Sequence, residues 1–265
     1  MQIFGAGYWA RVADSGVIAN FQTVFNLVTA IVLIPFAGAL VKLSTLLVKE
    51  EKPKESRHPE LHTLDEKLYI SPAVAIQEAT KAASAMGVIA MENMKKAIGQ
   101  LEVYENTDFS DFIENEEELD KFADRADHFM IGLSKVVETH REDSQLDLLL
   151  QAVPSFERIG DYATNLVELA QRLQADKAAF SESAIKELEI LSAAVNEILD
   201  ITVTAFTNND NETAKNIEPL EEVIDDMVLI LRDRHTKRLK SGACAISSGL
   251  VFMEMLTYME RASDQ

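Results

Sequence analysis

At 265 residues the chain can hold one large domain or two small ones, and a hydrophobic content of 47% is ample for a buried core. Ten Gly and six Pro are few for this length and favour long helices over a turn-rich β fold, while a single cysteine, Cys244, excludes a disulfide framework and a thiolate zinc site. The net charge of −19 is carried wholly by residues 72–265, an acidic surface that repels phosphate backbones, so no nucleic-acid partner is expected.

The first distinctive stretch is an uncharged run from Phe21 to Val41, 21 residues long, enough to cross about 30 Å of hydrocarbon as a helix, with Pro35 and Gly38 inside it. Residues 1–20 lack a basic region leading to a small-residue cleavage site, so the run does not read as a signal peptide. Lys42, Lys49, Lys52, Lys54 and Arg57 follow it and only Arg11 precedes it. An excess of cations on that side places the chain after Val41 in the cytoplasm. Residues 1–48 are therefore expected to form a membrane segment. Residues 49–70, charged and containing Pro53 and Pro59, read as a linker. His58 and His62 lie four apart there, but Pro59 between them opposes a continuous metal-binding helix.

From Ser71 the pattern becomes helical. Ser71-Pro72 opens a first helix, with Val74, Ile76, Ala79, Ala83, Met86, Ile89, Met91 and Met94 at helical spacing up to about Val103. The methionines read as core and Cys244 as a small buried residue. A second helix is expected from about Phe109 to His140, and a third from Asp143 to about Gln174, kinked before Glu157 by Pro154. The order then repeats, with helices over about Ser181–Phe206, Thr213–Lys240 and Ala245 to the end. Three helices occurring twice predict an all-α domain over residues 71–265, built as a pair of three-helix bundles (about 71–175 and 181–265). His128, His140 and His235 read as surface or hydrogen-bonded positions, and Arg158 and Arg261 as partners of carboxylates on neighbouring helices.

The duplication also shows in the acids. Phe156-Glu157-Arg158-Ile159-Gly160-Asp161 returns as Met259-Glu260-Arg261-Ala262-Ser263-Asp264, and Glu116/Asp120 returns as Glu221/Asp225. In all four places an acid precedes an Asp by four residues, which stacks the two on one helix face. Like charges at that spacing destabilise a helix by roughly 0.2–0.5 kcal/mol per pair, a cost that reverses if a hard cation sits between them. If the pairs of the second and third helix of each unit face each other, four carboxylates surround one point. Two equivalent acidic sites are thus expected: Glu116, Asp120, Glu157 and Asp161, and Glu221, Asp225, Glu260 and Asp264. The chain is rich enough in acids for such pairs to arise by chance, as at Asp143/Asp147 and Glu222/Asp226. No phosphate-binding loop, nucleophile elbow or His-Glu-x-x-His is present, so no enzyme is expected.

The duplicated unit with Glu157-Arg158-Ile159-Gly160-Asp161 resembles the PhoU family of phosphate-signalling regulators. With the preceding Ala19-Asn20-Phe21-Gln22-Thr23-Val24-Phe25-Asn26-Leu27 and Pro35-Phe36, the chain looks like the carboxyl-terminal part of bacterial sodium/phosphate cotransporters. The resemblance implies a PhoU-like pair of three-helix bundles behind a transmembrane helix, and metal ions (iron, zinc, manganese or magnesium) at the eight acids. It also implies location at the inner membrane, a transporter membrane domain as partner in cis or as a separate chain, and an indirect link to phosphate and sodium. A homo-oligomer is left open. Asp161-Tyr162-Ala163-Thr164-Asn165-Leu166 carries Tyr162 where the family commonly has histidine. The cotransporters' paired Gln-Ser-Ser-Ser motifs occur nowhere in the sequence, so the chain is expected to be a fragment or split form. The other expectation is a membrane-anchored PhoU-like signalling protein without transport activity.

Overall fold

The structure, a computed structural model, describes residues 15–36, 58–102 and 110–265, and no strand occurs among them. It divides into two units, residues 1–56 and 57–265.

Of the first unit, α1 (Ser15–Leu33) and a 3₁₀ turn (Ile34–Phe36) are described. The α-helix stops at Leu33, short of Pro35, because a proline disfavours the helical backbone of the residue before it. Residues 37–41 of the expected span, and Lys42 to Arg57, lie outside the described residues. Phe21, Val24, Phe25, Val28, Ile31 and Val32 are all exposed, so among the described residues α1 has no apolar partner within its own unit. From Ile18 to Phe36 the segment is long and apolar enough to cross a bilayer, by length and composition.

The second unit is a helical bundle. Its elements are α2 (Pro72–Glu102), α3 (Ser110–Leu133), α4 (His140–Ala175), α5 (Glu182–Asn208), the single turn α6 (Asn211–Ala214), α7 (Ile217–Lys240) and α8 (Ile246–Asp264). The first repeat is α2, α3 and α4; the second is α5, α7 and α8. The expected boundary between the second and third helices moves. Thr139 and Glu142 form a reciprocal capping box that starts α4 at His140, and α3 ends at Leu133. That Thr-x-x-Glu signal is legible in the sequence and starts the helix ahead of Asp143-Ser144. Pro154 lies inside an α4 that continues on both sides of it. The start of the expected fifth helix, about Thr213, falls instead in the single turn α6, which Asp210 caps by accepting from the Glu212 and Thr213 amides; after a break at Lys215 and Asn216, α7 starts at Ile217.

The two bundles share one core. Four helices, α2, α4, α5 and α8, pack together, while α3 lies against α2 and α4, and α7 against α5 and α8. Phe156 of α4 joins the halves: it is 4% exposed, meets Phe206 of α5 edge-on with centroids 5.2 Å apart, and presses onto Gly87 of α2. A Cβ at Gly87 would lie 2.8 Å from the Phe156 ring, so only glycine allows this approach. Met86, Met91 and Met94 are core, as expected. Cys244 is half-exposed in the α7–α8 connection rather than buried. His235 departs further. It is 2% exposed, stacked on Phe252 with centroids 4.7 Å apart, and its ring nitrogens make no well-formed hydrogen bond. Burial first, and the neighbouring Arg238 second, hold its pKa below the ordinary histidine value. The matching part of the first repeat is apolar.

Residues 58–70, expected as linker, are instead folded against the bundle as two 3₁₀ turns, Pro59–His62 and Glu66–Ile70. Leu61 is 1% exposed in the core, and the Tyr69 hydroxyl donates to the Phe129 carbonyl at 3.0 Å. Burial of these apolar side chains outweighs the flexibility that the charge and proline content suggested.

Candidate metal centre

Each acidic cluster forms where an outer helix meets the third helix of its repeat. On α3, Leu119 and Phe122 point into the core, which turns Glu116 and Asp120 toward α4 at the bundle surface. On α4, buried Phe156, Ile159 and Gly160 fix the facing of Asp161 in the same way. Glu116, Asp120 and Asp161 thereby offer carboxylate oxygens within 4.8 Å of one another, Glu116 half-buried and the two Asp exposed. The second repeat repeats this with Glu221 and Asp225 of α7 and Asp264 of α8, again within 4.8 Å.

Like charges crowded this closely resist full ionisation. Desolvation first, then Asp120 and Asp161, push the Glu116 carboxyl above the ordinary glutamate range. Burial and Asp120 raise Asp161, and burial with Asp225 raises Glu221 and Asp264. No Lys or Arg of the described residues forms an ion pair with any of the six. Three such oxygens suit a hard cation that completes its shell with water.

The fourth member of each expected set stands apart, and differently in each. Glu157 lies one turn from Asp161, outside the three-carboxylate group, yet it feels the same field: burial, then Asp161, Asp120, Asp124 and Asp127, raise its pKa. Glu260 is instead engaged by Arg232 of α7, whose Nη2 donates to Oε2 at 2.5 Å and to Thr257 at 3.1 Å. The two sites are therefore not equivalent. Asp124 and Asp127 extend the α3 stripe of Glu116 and Asp120 at helical spacing; the matching α7 positions are Leu229 and Arg232. The i, i+4, i+7 run of acids was readable from the sequence, but which side of α3 faced α4 was not. Arg232→Gln should release Glu260 to the second cluster and strengthen its Mn²⁺ binding several-fold, measured by titration with the first cluster silenced by Asp120→Asn/Asp161→Asn. An unchanged affinity would show that Glu260 does not reach the ion.

The arginines of the repeated motif do not pair as expected. Arg158 donates to the Gln265 side-chain oxygen at 3.2 Å, across the two repeats, and Arg261 adds a weak positive field at Asp264. Of the two linker histidines, His58 Nε2 lies 3.1 Å from Asn115 Oδ1, and His62 Nδ1 accepts from Arg125 at 2.7 Å. The second cluster opens beside a cavity of about 450 Å³ between the repeats, floored by Met91, Ile159, Ile198 and Leu199.

An all-α bundle built of two three-helix repeats, each with a triad of carboxylates on matched helices, defines the class. The PhoU domain model matches residues 83–170 and again 188–265, one match per repeat, so the chain belongs to the PhoU family. Over 185 residues it is 23% identical to "Phosphate-specific transport system accessory protein PhoU homolog 1" of Thermotoga maritima, covering 68% of this chain and 78% of that one. Over 217 residues it is 23% identical to "Putative inorganic phosphate export protein YjbB" of Salmonella typhimurium, covering 77% of this chain. The chain spans only 37% of that relative's length. No solved structure matches the chain.

Proposed function

We propose that this chain is a phosphate-transport regulator: a metal-binding PhoU bundle held at the inner membrane by the 15–36 segment, acting on a sodium-dependent phosphate transporter. The observation that carries the metal reading is the pair of carboxylate triads at matched positions of the duplication, each within 4.8 Å. Iron, zinc, manganese or magnesium bound there would neutralise charge that the bundle otherwise holds under repulsion. The regulatory and transport reading is supported by the family and by the two relatives, whose names tie them to phosphate transport and export. The match to part of a longer export protein favours a transporter domain as partner over a free-standing signalling role. Glu116, Asp120 and Asp161 are the primary ligands of the first site, with Glu157 beside them; Glu221, Asp225 and Asp264 are those of the second, with Glu260 held back by Arg232.

The test joins metal content to transport. Purified without chelator, the protein should carry about one or more transition-metal ions, and Asp120→Asn/Asp161→Asn should remove those of the first site. In cells, the same variant should change phosphate flux, or its response to external phosphate, through the cognate transporter. Unchanged metal content would overturn the assigned ligands; unchanged flux with lost metal would leave a metal protein without the proposed regulatory role.

A further inference from the structure

The segment 58–70 is fastened to α3 at three places along its length. At the first, His58 reaches Asn115 (3.1 Å), which itself donates to the buried Asn93 of α2 at 3.0 Å. At the second, Arg125 donates to His62 Nδ1 at 2.7 Å and to the Leu61 carbonyl at 3.2 Å, while Leu61 is buried. At the third, Tyr69 donates to the Phe129 carbonyl at 3.0 Å and meets the Phe129 ring at a tilt of 39°, with centroids 5.1 Å apart. Its hydroxyl fits only because residue 132 is glycine: a Cβ there would lie 2.2 Å away. Residues 115 to 129 span about 21 Å of helix at 1.5 Å per residue.

Glu116 and Asp120 lie between the first and second of these fastenings, and Asn115 is the immediate neighbour of Glu116. Among the described residues the outer helix packs on the inner helices α2 and α4 and on this segment, which itself also lies on α2 and so clasps α3 to it. Repulsion within the first cluster pushes α3 away from α4, and the segment opposes that movement. The second repeat has nothing comparable: no segment crosses α7 among the described residues. Residue 58 is also where the folded bundle is joined by the intervening chain to the apolar helix α1.

From this we infer that residues 58–70 are a strap coupling occupancy of the first acidic cluster to the chain that leads toward α1. The inference rests on the metal reading above. A cation between Glu116, Asp120 and Asp161 draws α3 onto α4 and tightens the strap; a loosened strap lets α3 drift and weakens the cation. The two effects are reciprocal by thermodynamic linkage. The second cluster lacks the strap and is insulated from it.

The experiment uses the full chain in detergent micelles with Mn²⁺ as probe, in an Asp225→Asn/Asp264→Asn background so that only the first cluster titrates. Hydrogen exchange at the Leu61, Leu68 and Ser71 amides, each bonded within the strap, should slow at least threefold when Mn²⁺ is added. His58→Ala and Tyr69→Phe, each of which removes one fastening with little loss of core, should weaken Mn²⁺ by about tenfold. Mn²⁺ binding that leaves both the exchange rates and the variants' affinities unchanged would overturn the strap and leave the metal site standing. No Mn²⁺ binding to this background, with the triad intact, would overturn the metal reading and the coupling together.

Discussion

At pH 7, saturating Mn²⁺ should raise the thermal midpoint of the metal-free bundle by about 5–10 °C, and the gain should shrink as the pH is lowered. The size follows from mass action: a ligand at a hundred times its dissociation constant stabilises the folded state by about 2.7 kcal/mol. For a domain of this size each kcal/mol moves the midpoint by about 2–4 °C. The pH dependence follows from the carboxyls. Glu116, Glu157, Asp161, Glu221 and Asp264 all have folded-state pKa values raised above the ordinary range, chiefly by burial and by one another. Groups raised in this way give stability that is fully present below their unfolded values, near 4, and lost as the pH rises through the folded ones. Without metal, these five groups therefore make the bundle more stable as the pH falls through their raised folded-state values. With metal, protons and cation compete for the same oxygens, and the increment disappears over the same range.

His235 works in the opposite sense and has to be separated. Its folded pKa is depressed, so its contribution is present above the unfolded value of about 6.5 and is lost as the pH falls below it. A His235→Met background, matching Met130 at the corresponding place in the first repeat, removes this opposing slope. In that background Asp120→Asn/Asp161→Asn should be more stable than its parent at pH 7 without metal, and should lose the first cluster's share of the Mn²⁺ increment while the second cluster keeps its own. Differential scanning calorimetry at pH 7, 6 and 5, with and without Mn²⁺, decides it. A metal-independent midpoint at pH 7 would mean that the acids are a solvated face.

Phe156→Ala should lower the unfolding free energy of the bundle by about 3–5 kcal/mol. The ring is buried between α2, α4 and α5, and its removal opens a void that the Gly87 backbone cannot fill. Because Phe206 belongs to the second repeat, the loss is felt by both halves. Urea unfolding should remain a single transition, with a lower midpoint and an unchanged slope. Two transitions, only the earlier one displaced, would show instead that the repeats fold independently and that the shared core does not make them cooperative.

The neighbouring Glu157 is the instructive contrast. Its spacing from Asp161 placed it in the candidate site, and the helix does stack the two on one face. Whether it reaches the same point as Glu116 and Asp120 depends on how α4 is rotated and raised against α3. Packing of Phe156, Ile159 and Leu119 sets that, and it leaves Glu157 one turn away from the triad.

The sequence by itself determined the all-α class, the duplication, the apolar N-terminal helix and the recurrence of acid pairs. Each is a matter of periodicity or repetition along the chain, and local propensity and the 3.6-residue turn need no partner to express them. Tertiary structure alone decided which acids meet, because that depends on the mutual rotation of α3 with α4 and of α7 with α8. It also decided that Arg232 takes Glu260 out of the second cluster, that His235 is buried, and that residues 58–70 lie along α3. Those outcomes turn on contacts between residues as far apart as 28 to 64 positions, which no local pattern encodes.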